Sequence, residues 1–326
     1  MPDSLLRLLK QHDGFVSGEQ LSRTLGISRA AVWKKIRALR SRGCVIESLP
    51  SRGYSLKKTP DLFGETLAEA LRGSFWRDVR VLDSVDSTND LCIEIAREGL
   101  PSGGLLLAAD SQRKGKGRLG RVWASPGGMN VHMSLLFRPA LPPRDAPMLT
   151  FLAAVAAAET LRALCGMPVE IKWPNDLLVG EKKLGGILTE VRSDPDRILF
   201  AVVGVGINVN MRRTALPSAL RKTATSVRIE TGRDFPRNDL IAALALGFER
   251  WLTVISGGGR DRLLDAWKGL SSTIGRDVEI RSGNEIITGN VQDIDENGLL
   301  VLRAYNGTVR KVSVGDVTQL RRTATP

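Results

Sequence analysis

Five cations, Arg113, Lys114, Lys116, Arg118 and Arg121, stand within nine residues and are interleaved with Gly115, Gly117 and Gly120. The spacing of these glycines matches GxGxxG, which in a dinucleotide site opens a helix and is followed about 20 residues later by an acid for the ribose. Here Gly120 leads into Arg121–Gly128, which contains Pro126, Gly127 and Gly128, and no Asp or Glu occurs between Asp110 and Asp145. A helix is excluded there, and the Gly-Lys-Ser/Thr ending of a Walker loop is missing. What remains is a basic loop between two strands, rich in backbone N–H groups and guanidinium forks, that suits a phosphate. A nucleic-acid contact is the rival reading. A merely solvated loop is disfavoured, because five close cations repel one another until an anion arrives.

Four further stretches carry groups that could surround a ligand. Lys172-Trp173-Pro174-Asn175-Asp176 ends a strand and gathers Lys, Asn and Asp around a proline turn, a pattern also common in plain turns. Lys182-Lys183-Leu184-Gly185-Gly186 leads a lysine into an apolar strand whose glycines allow close backbone approach, or forms an ordinary hairpin rim. Gly204-Val205-Gly206-Ile207-Asn208 alternates glycine on one strand face, clearing space for a flat ligand or for a helix packed on the sheet; Asn208 adds a donor and an acceptor. Asp83-Ser84-Val85-Asp86-Ser87-Thr88-Asn89 joins a strand to a helix, where Ser87 or Thr88 caps the helix or holds a polar ligand.

The elements that must position these groups follow from periodicity and turn chemistry. In residues 1–60, Leu5, Leu6, Leu8 and Leu9 mark a first helix. Ser17-Gly18-Glu19-Gln20 is a capping box before a second. Ser28 caps a third, about 29–42, with Val32, Ile36 and Leu39 inward and only basic charges outward. Val45–Leu49 and Tyr54–Leu56 then pair around Pro50–Gly53, which completes a winged helix-turn-helix, with Lys57–Pro60 as linker. Residues 61–270 mix strands near 80–82, 104–109, 130–137, 169–173, 177–179, 186–191 and 199–209 with helices near 88–97, 146–165, 238–255 and 260–269. The consecutive hairpins of 177–209 imply a mixed, largely antiparallel sheet, hence α+β rather than a doubly wound parallel sheet. Residues 271–326 are short strands broken at Gly283-Asn284, Glu296-Asn297-Gly298 and Asn306-Gly307, as in an SH3-like β-barrel.

Charge separates these modules. The chain carries 47 Lys and Arg against 35 Asp and Glu, net +12. Residues 1–60 hold twelve cations and four acids, whereas the last 56 residues hold seven of each, so the polyanion partner belongs to the N-terminal module. Cys44, Cys92 and Cys165 are too few and too scattered for a disulfide framework, and with His12 and His132 alone they offer no zinc ligand set. No secretory signal pattern opens the chain, which reads as cytoplasmic. Its longest apolar stretch, around Thr150–Ala158, falls short of a membrane span and merges into an amphipathic helix.

Taken in order, these strings resemble the family of bifunctional biotin–protein ligases and biotin-operon repressors over essentially the whole chain. The matching pieces are Gly18–Leu21 with Ser28–Ala31, Asp86–Asn89, Gln112 with Gly115–Arg118, Lys172–Asp176, Lys183 with Gly185-Gly186, Gly204–Asn208 and the barrel tail. The resemblance implies biotin and ATP as substrates, Mg2+ with the ATP, and biotinyl-5′-AMP as intermediate and corepressor. It also implies a biotin carboxyl carrier protein as acceptor (an acetyl-CoA carboxylase subunit or similar carrier domain), operator DNA as ligand, and a homodimer on adenylate binding; a membrane is not among the partners.

The same resemblance places Ser87, Thr88, Asn89, Gln112, Lys116, Gly117, Arg118 and Lys183 around biotin, with Arg118 and Lys183 catalytic. Arg118, Arg121, Trp123, Asn175, Asp176 and Asn208 fall to the nucleotide, Asp176 and Asn208 also to its magnesium. Ser28, Arg29, Lys34, Lys35 and Arg37 would meet DNA. Two departures stand out: Lys116 and Leu119 occupy positions where the family often has arginine, and the tail is longer by one residue, so either Arg321 or Arg322 reaches the nucleotide. The alternatives are a ligand-sensing repressor without ligase activity and a lipoate-type ligase.

Overall fold

The computed structural model describes residues 4–99, 102–282, 285–313 and 315–319. The chain separates into two compact units, Met1–Arg72 and Gly73–Pro326. In the first, α1 (Ser4–Gln11), α2 (Gly18–Leu25) and α3 (Arg29–Ser41) precede a hairpin of β1 (Val45–Leu49) and β2 (Gly53–Lys58). Both caps form as the sequence requires: Ser17 Oγ accepts from the Gln20 N–H at 3.0 Å, and Ser28 Oγ from that of Ala31 at 3.2 Å. Leu5, Leu9, Leu21, Val32, Ile36 and Leu39 form the core. The wing is tied to the helices by paired 2.9 Å bonds between Val16 and Tyr54. That approach needs Gly53, whose φ is +102° and where a Cβ would collide with the Val16 carbonyl.

The compact unit continues past the Lys57–Pro60 stretch read as a linker. A short helix, α4 (Gly64–Ala70), follows β2, Phe63 joins the core, and Glu65 pairs with Arg42. No periodic signal marked α4, because a seven-residue helix spans two turns.

The second unit is built on a seven-stranded sheet. In chain order its elements are β3 (Trp76–Val85), α5 (Thr88–Glu98), β4 (Gly104–Gln112), β5 (Val131–Phe137) and α6 (Ala146–Cys165). Then follow β6 (Val169–Lys172), β7 (Asp176–Val179), β8 (Lys182–Ser193), β9 (Ile198–Ile207), α7 (Val227–Thr231), α8 (Arg237–Ser256) and α9 (Arg260–Gly269). The strand order is β3-β4-β5-β9-β8-β7-β6, with β3 and β4 parallel and every other neighbour antiparallel. The expected mixed sheet and its hairpins are therefore present. β3 runs much longer than the three residues marked by its apolar pattern, since its outer positions are polar.

Period-two alternation decides what each sheet face carries. Leu105, Leu107, Leu136 and Val202 pack under Cys92 of α5. On the same face, further along β5 and β9, Ser134 pairs with Gly204 and His132 with Gly206. The opposite face carries Phe137, whose ring packs edge-on against Trp76 and Phe248 at 5.9 and 5.4 Å. α6 is not amphipathic. Its length and composition would suit a membrane span, but 67% of its apolar window is buried inside the protein against the sheet, α8 and α9.

The tail forms β10 (Asp277–Ser282), β11 (Glu285–Ile294), β12 (Leu300–Ala304), β13 (Val309–Val312) and β14 (Asp316–Gln319). They make one antiparallel sheet ordered β13-β12-β11-β10-β14, whose edges do not pair with each other among the described residues, so the small module is an open version of the expected barrel. It is fastened by Trp173 Nε1 donating to the Gly298 carbonyl at 3.1 Å and by the Lys268–Asp293 ion pair at 2.8 Å. Leu107→Ala, at the fully buried contact between the sheet and α5, should cost about 2–5 kcal/mol in urea denaturation. A loss under about 1 kcal/mol would show that this face is not core.

Candidate active site

The basic loop leaves β4 and returns to β5, and both of its roots are pinned. At the first, the Arg113 and Lys114 N–H groups donate to the carbonyls of Val85 and Asp86, both at 2.8 Å. At the second, both Asp110 carboxylate oxygens accept the Gly128 N–H at 2.9 and 3.0 Å, and Asp110 is held by the buried Arg237 at 2.7 Å. Between the roots, Trp123 N–H donates to Gly115 at 2.8 Å and Gly117 N–H to Arg121 at 2.7 Å, closing a small hairpin.

The expectation of unrelieved repulsion in this loop is corrected by the structure. Asp86 pairs with Arg113 at 2.7 Å and Lys114 at 2.9 Å, and Asp90 pairs with Lys116 at 2.6 Å. Lys114, then Arg113, hold the Asp86 carboxyl below its ordinary value, and the bond to Asp90 raises the Lys116 ammonium. All three ion pairs are solvent-exposed at least in part, so each contributes little to stability. Their effect is to store the loop's charge against acids at the start of α5. Arg118 reaches elsewhere: its Nη1 donates to Asn175 Oδ1 at 3.0 Å, while Asn175 Nδ2 donates to the Ile187 carbonyl at 2.7 Å.

The glycines of β9 let side chains lie flat on the sheet, and the space they clear is already occupied. A Cβ at Gly204 would collide with the Asn89 amide, and one at Gly206 would lie 2.8 Å from the Trp123 indole. Ser87 caps α5, accepting from the Asp90 N–H at 3.3 Å. Thr88 donates to Gln112 Oε1 from its N–H at 2.9 Å and from its hydroxyl at 3.1 Å, and Gln112 Nε2 donates to Ser125 Oγ at 2.9 Å. Ser134, which the sequence reading missed, has its hydroxyl 2.7 Å from Thr88 Oγ1 and 2.6 Å from Asn89 Oδ1. Asn89 spends its amide on the Leu188 carbonyl and Glu190 at 3.2 and 2.7 Å.

These residues line a cavity of about 550 Å³, with Ser87, Thr88, Asn89, Gln112, Lys116, Gly117, Arg118, Arg121 and Asn175 all in its wall. A second cavity of about 1050 Å³ holds Asn208. Trp123, Asp176 and Lys183 line both, so they stand at the junction. Lys183 pairs with Asp176 at 2.6 Å and lies 5.7 Å from the centroid of the Trp123 ring. Asn208 Nδ2 donates to the Thr225 carbonyl at 2.9 Å, which directs its oxygen elsewhere. Arg276, Asp277 and Thr318 of the C-terminal sheet close the larger cavity. Arg321 and Arg322 lie outside the described residues.

In the N-terminal unit Ser28 is spent on its cap, while Arg29, Lys34, Lys35 and Arg37 are exposed along α3. Arg40 instead reaches the wing through the Ile46 carbonyl at 2.7 Å. Trp33, another residue not singled out from the sequence, is 48% exposed with the Arg37 guanidinium 4.8 Å from its ring centroid.

Three family models match the chain: an HTH domain over residues 3–55, the biotin/lipoate A/B protein ligase family over 81–208, and a biotin protein ligase C-terminal domain over 273–318. The bifunctional ligase/repressor BirA of Bacillus spizizenii is 35% identical over 308 residues, 93% of either chain. That of Escherichia coli K12 is 34% identical over 320 residues, 98% of this chain and 97% of its own. The chain belongs to the BirA family. Among solved structures, the Aquifex aeolicus biotin protein ligase in complex with biotin and ATP superposes with a TM-score of 0.65 at 28% identity, covering 76% of this chain and all of that one. The BirA assignment joins a DNA-binding fold to a ligase fold in one chain, and disfavours the sensor-only and lipoate-type alternatives.

Family membership does not explain His132. It is 2% exposed on the cavity floor. Burial pushes its imidazole down to about 4, with Arg237 adding to the effect and the neighbouring backbone at Ala109 and Asp110 partly opposing it. A base whose folded value lies below the ordinary 6.5 takes up its proton more readily when unfolded. Its contribution is therefore whole above about pH 6.5 and is lost as pH falls towards about 4, some 3 kcal/mol in all. Between pH 7 and 4.5, the wild type should lose about 2–3 kcal/mol more stability than His132→Gln. Equal losses would contradict a buried neutral imidazole.

Proposed function

We propose that the smaller cavity takes biotin and the larger one ATP, with their reacting ends meeting at Lys183. The observation that carries this reading is the shared wall: Trp123, Asp176 and Lys183 border both cavities. A biotin carboxylate oxygen attacks the α-phosphorus, the new acyl-phosphate bond forms, and the bond to pyrophosphate breaks. The amine of a carrier lysine then attacks the acyl carbon, giving the amide and releasing AMP. No protein nucleophile is needed, because the adenylate is the activated species. The thiols agree, since burial holds Cys92 and Cys165 up at about 12 and about 11.

Arg118 and Lys183 are the catalytic cations, suited to stabilise charge growing on the α-phosphate and the departing pyrophosphate. Ser87, Thr88, Asn89 and Gln112 frame the urea end of biotin, with Lys116 and Gly117 along the acyl phosphate. Arg121, Trp123, Asn175, Asp176 and Asn208 serve the nucleotide. No cluster of three acids, histidines or cysteines exists among the described residues. That suits Mg2+ arriving on ATP, which takes one or two protein oxygens and completes its shell with phosphate and water. Asp176 and the Asn208 amide oxygen are its donors, and the ion's role is to neutralise phosphate charge.

The acceptor is a biotin carboxyl carrier domain, such as that of an acetyl-CoA carboxylase. In the repressor role the adenylate favours a homodimer, so that two winged helices read the half-sites of a palindromic operator in the cytoplasm. Support comes from the exposed cations Arg29, Lys34, Lys35 and Arg37 and from the exposed Trp33 stacked on Arg37. Functionally we divide the chain into a DNA module (1–60), a ligase module (61–270) and a C-terminal module (271–326).

The enzyme should exchange labelled pyrophosphate into ATP only when biotin is present, and Lys183→Ala should lower that exchange at least about 100-fold. Exchange independent of biotin, or unharmed by the substitution, would remove Lys183 from the chemistry. For DNA, Arg37→Ala should reduce the slope of log K against log salt by about 1. An unchanged slope would place Arg37 away from phosphate.

A further inference from the structure

The polar residues most conspicuous in the smaller cavity have largely satisfied one another. Asn89 donates through its amide to Leu188 and Glu190, and its oxygen lies against the Ser134 hydroxyl. Gln112 Oε1 takes both donors of Thr88, and its amide nitrogen serves Ser125. Ser87 is occupied as the helix cap. Such a network positions a wall firmly but has little hydrogen-bonding capacity left for a ligand.

Unspent capacity lies on the floor. Among the described residues lining this cavity, the buried side-chain nitrogens with no hydrogen-bond partner are both ring nitrogens of His132 and Nε1 of Trp123. β5 carries His132 on the same face as Ser134, two residues and so roughly 7 Å along the strand, and pairs it with Gly206, over which the Trp123 indole lies. Leaving buried donors and acceptors unmade costs about 1–3 kcal/mol each. A native site keeps such groups where a ligand completes them.

We propose that His132 is a substrate-binding residue that selects for an uncharged group presenting a donor and an acceptor side by side, which in biotin is the cyclic urea. A neutral imidazole has one N–H and one lone pair, so it can both give to a urea carbonyl and accept from a urea N–H. Burial keeps the ring neutral at physiological pH, and a charged ring, having two donors and no acceptor, would lose half of that match. The neighbouring charges, Asp110 and Arg237, already neutralise each other at 2.7 Å and do not compete for the ring. The role of His132 is selection of the substrate head group, at a distance from the cations at the reacting end.

This inference rests on the biotin reading above, and the experiment separates the two. Biotin binding to the full chain is measured by titration calorimetry for wild type, His132→Gln and His132→Phe. Two further ligands are biotins methylated on one or the other urea nitrogen. His132→Phe should weaken biotin binding about 10- to 100-fold, while His132→Gln, which keeps a donor and an acceptor, should stay within about threefold of wild type. For one of the two methylated ligands, the penalty seen in wild type should shrink in His132→Phe, because the partner it disrupts has gone. ATP binding without biotin should be the same in all three proteins. Tight biotin binding by wild type with unchanged affinity in His132→Phe overturns this role and leaves the biotin reading standing. Equal weakening of biotin and both methylated ligands makes His132 purely structural and overturns it as well. Absence of biotin binding by wild type overturns the reading beneath it.

Discussion

Two carboxylates at the start of one helix set the state of the catalytic loop. Asp86 and Asp90 hold Arg113, Lys114 and Lys116, three of the loop's five cations, through contacts of 2.6–2.9 Å. Without them the hairpin of 115–123 would gather repelling charge beside Lys183. With them, the loop keeps a defined shape before any anion arrives. The pairs are exposed and individually weak, which is the property a ligand-responsive wall needs. A substrate phosphate can compete with Asp90 for Lys116 at small cost, while Arg118 already points at the floor through Asn175.

Beneath this loop the sheet is tuned by missing side chains. Gly204 lets Asn89 press onto β9 and Gly206 lets Trp123 do so, so the polar start of α5 and the loop's indole converge on one surface. That surface continues as ordinary core a few residues away, where Leu136 and Val202 meet Cys92. Binding and packing thus share the same two strands, and the helix that caps the site also seals the core. Substitutions at the glycines should be read as movements of Asn89 and Trp123, not as losses of empty space.

Local chemistry was the legible part of the sequence. Capping serines 17, 28 and 87 perform the predicted backbone roles, and the motif strings do converge on one wall. Long-range pairing was not legible. Nothing in the spacing says that Asp86 neutralises Arg113, that Asp110 holds Gly128 for Arg237, or that Ser134 and His132 on an apolar strand face the cavity. Each depends on which strand neighbours which, and β3 lies beside β4 while β5 lies beside β9. The short helix α4 escaped because its two turns offer no period to detect, and Arg276 and Asp277 because a C-terminal sheet strand gives no sign of reaching a distant cavity. α6 misled for the opposite reason: burial on nearly all sides removes the polar stripe that marks an amphipathic helix.

The central claim is that a loop pinned at both roots changes partners at its tip when the acyl-adenylate forms. Hydrogen exchange over residues 112–128 tests it most directly, compared without ligand, with biotin, and with biotin plus magnesium-ATP. The roots, Arg113, Lys114 and Gly128, should be protected in every state, and residues 116–122 should gain protection, most strongly when both substrates are present. Exchange at the tip that is unchanged by both substrates, or roots as labile as the tip without ligand, would contradict the account.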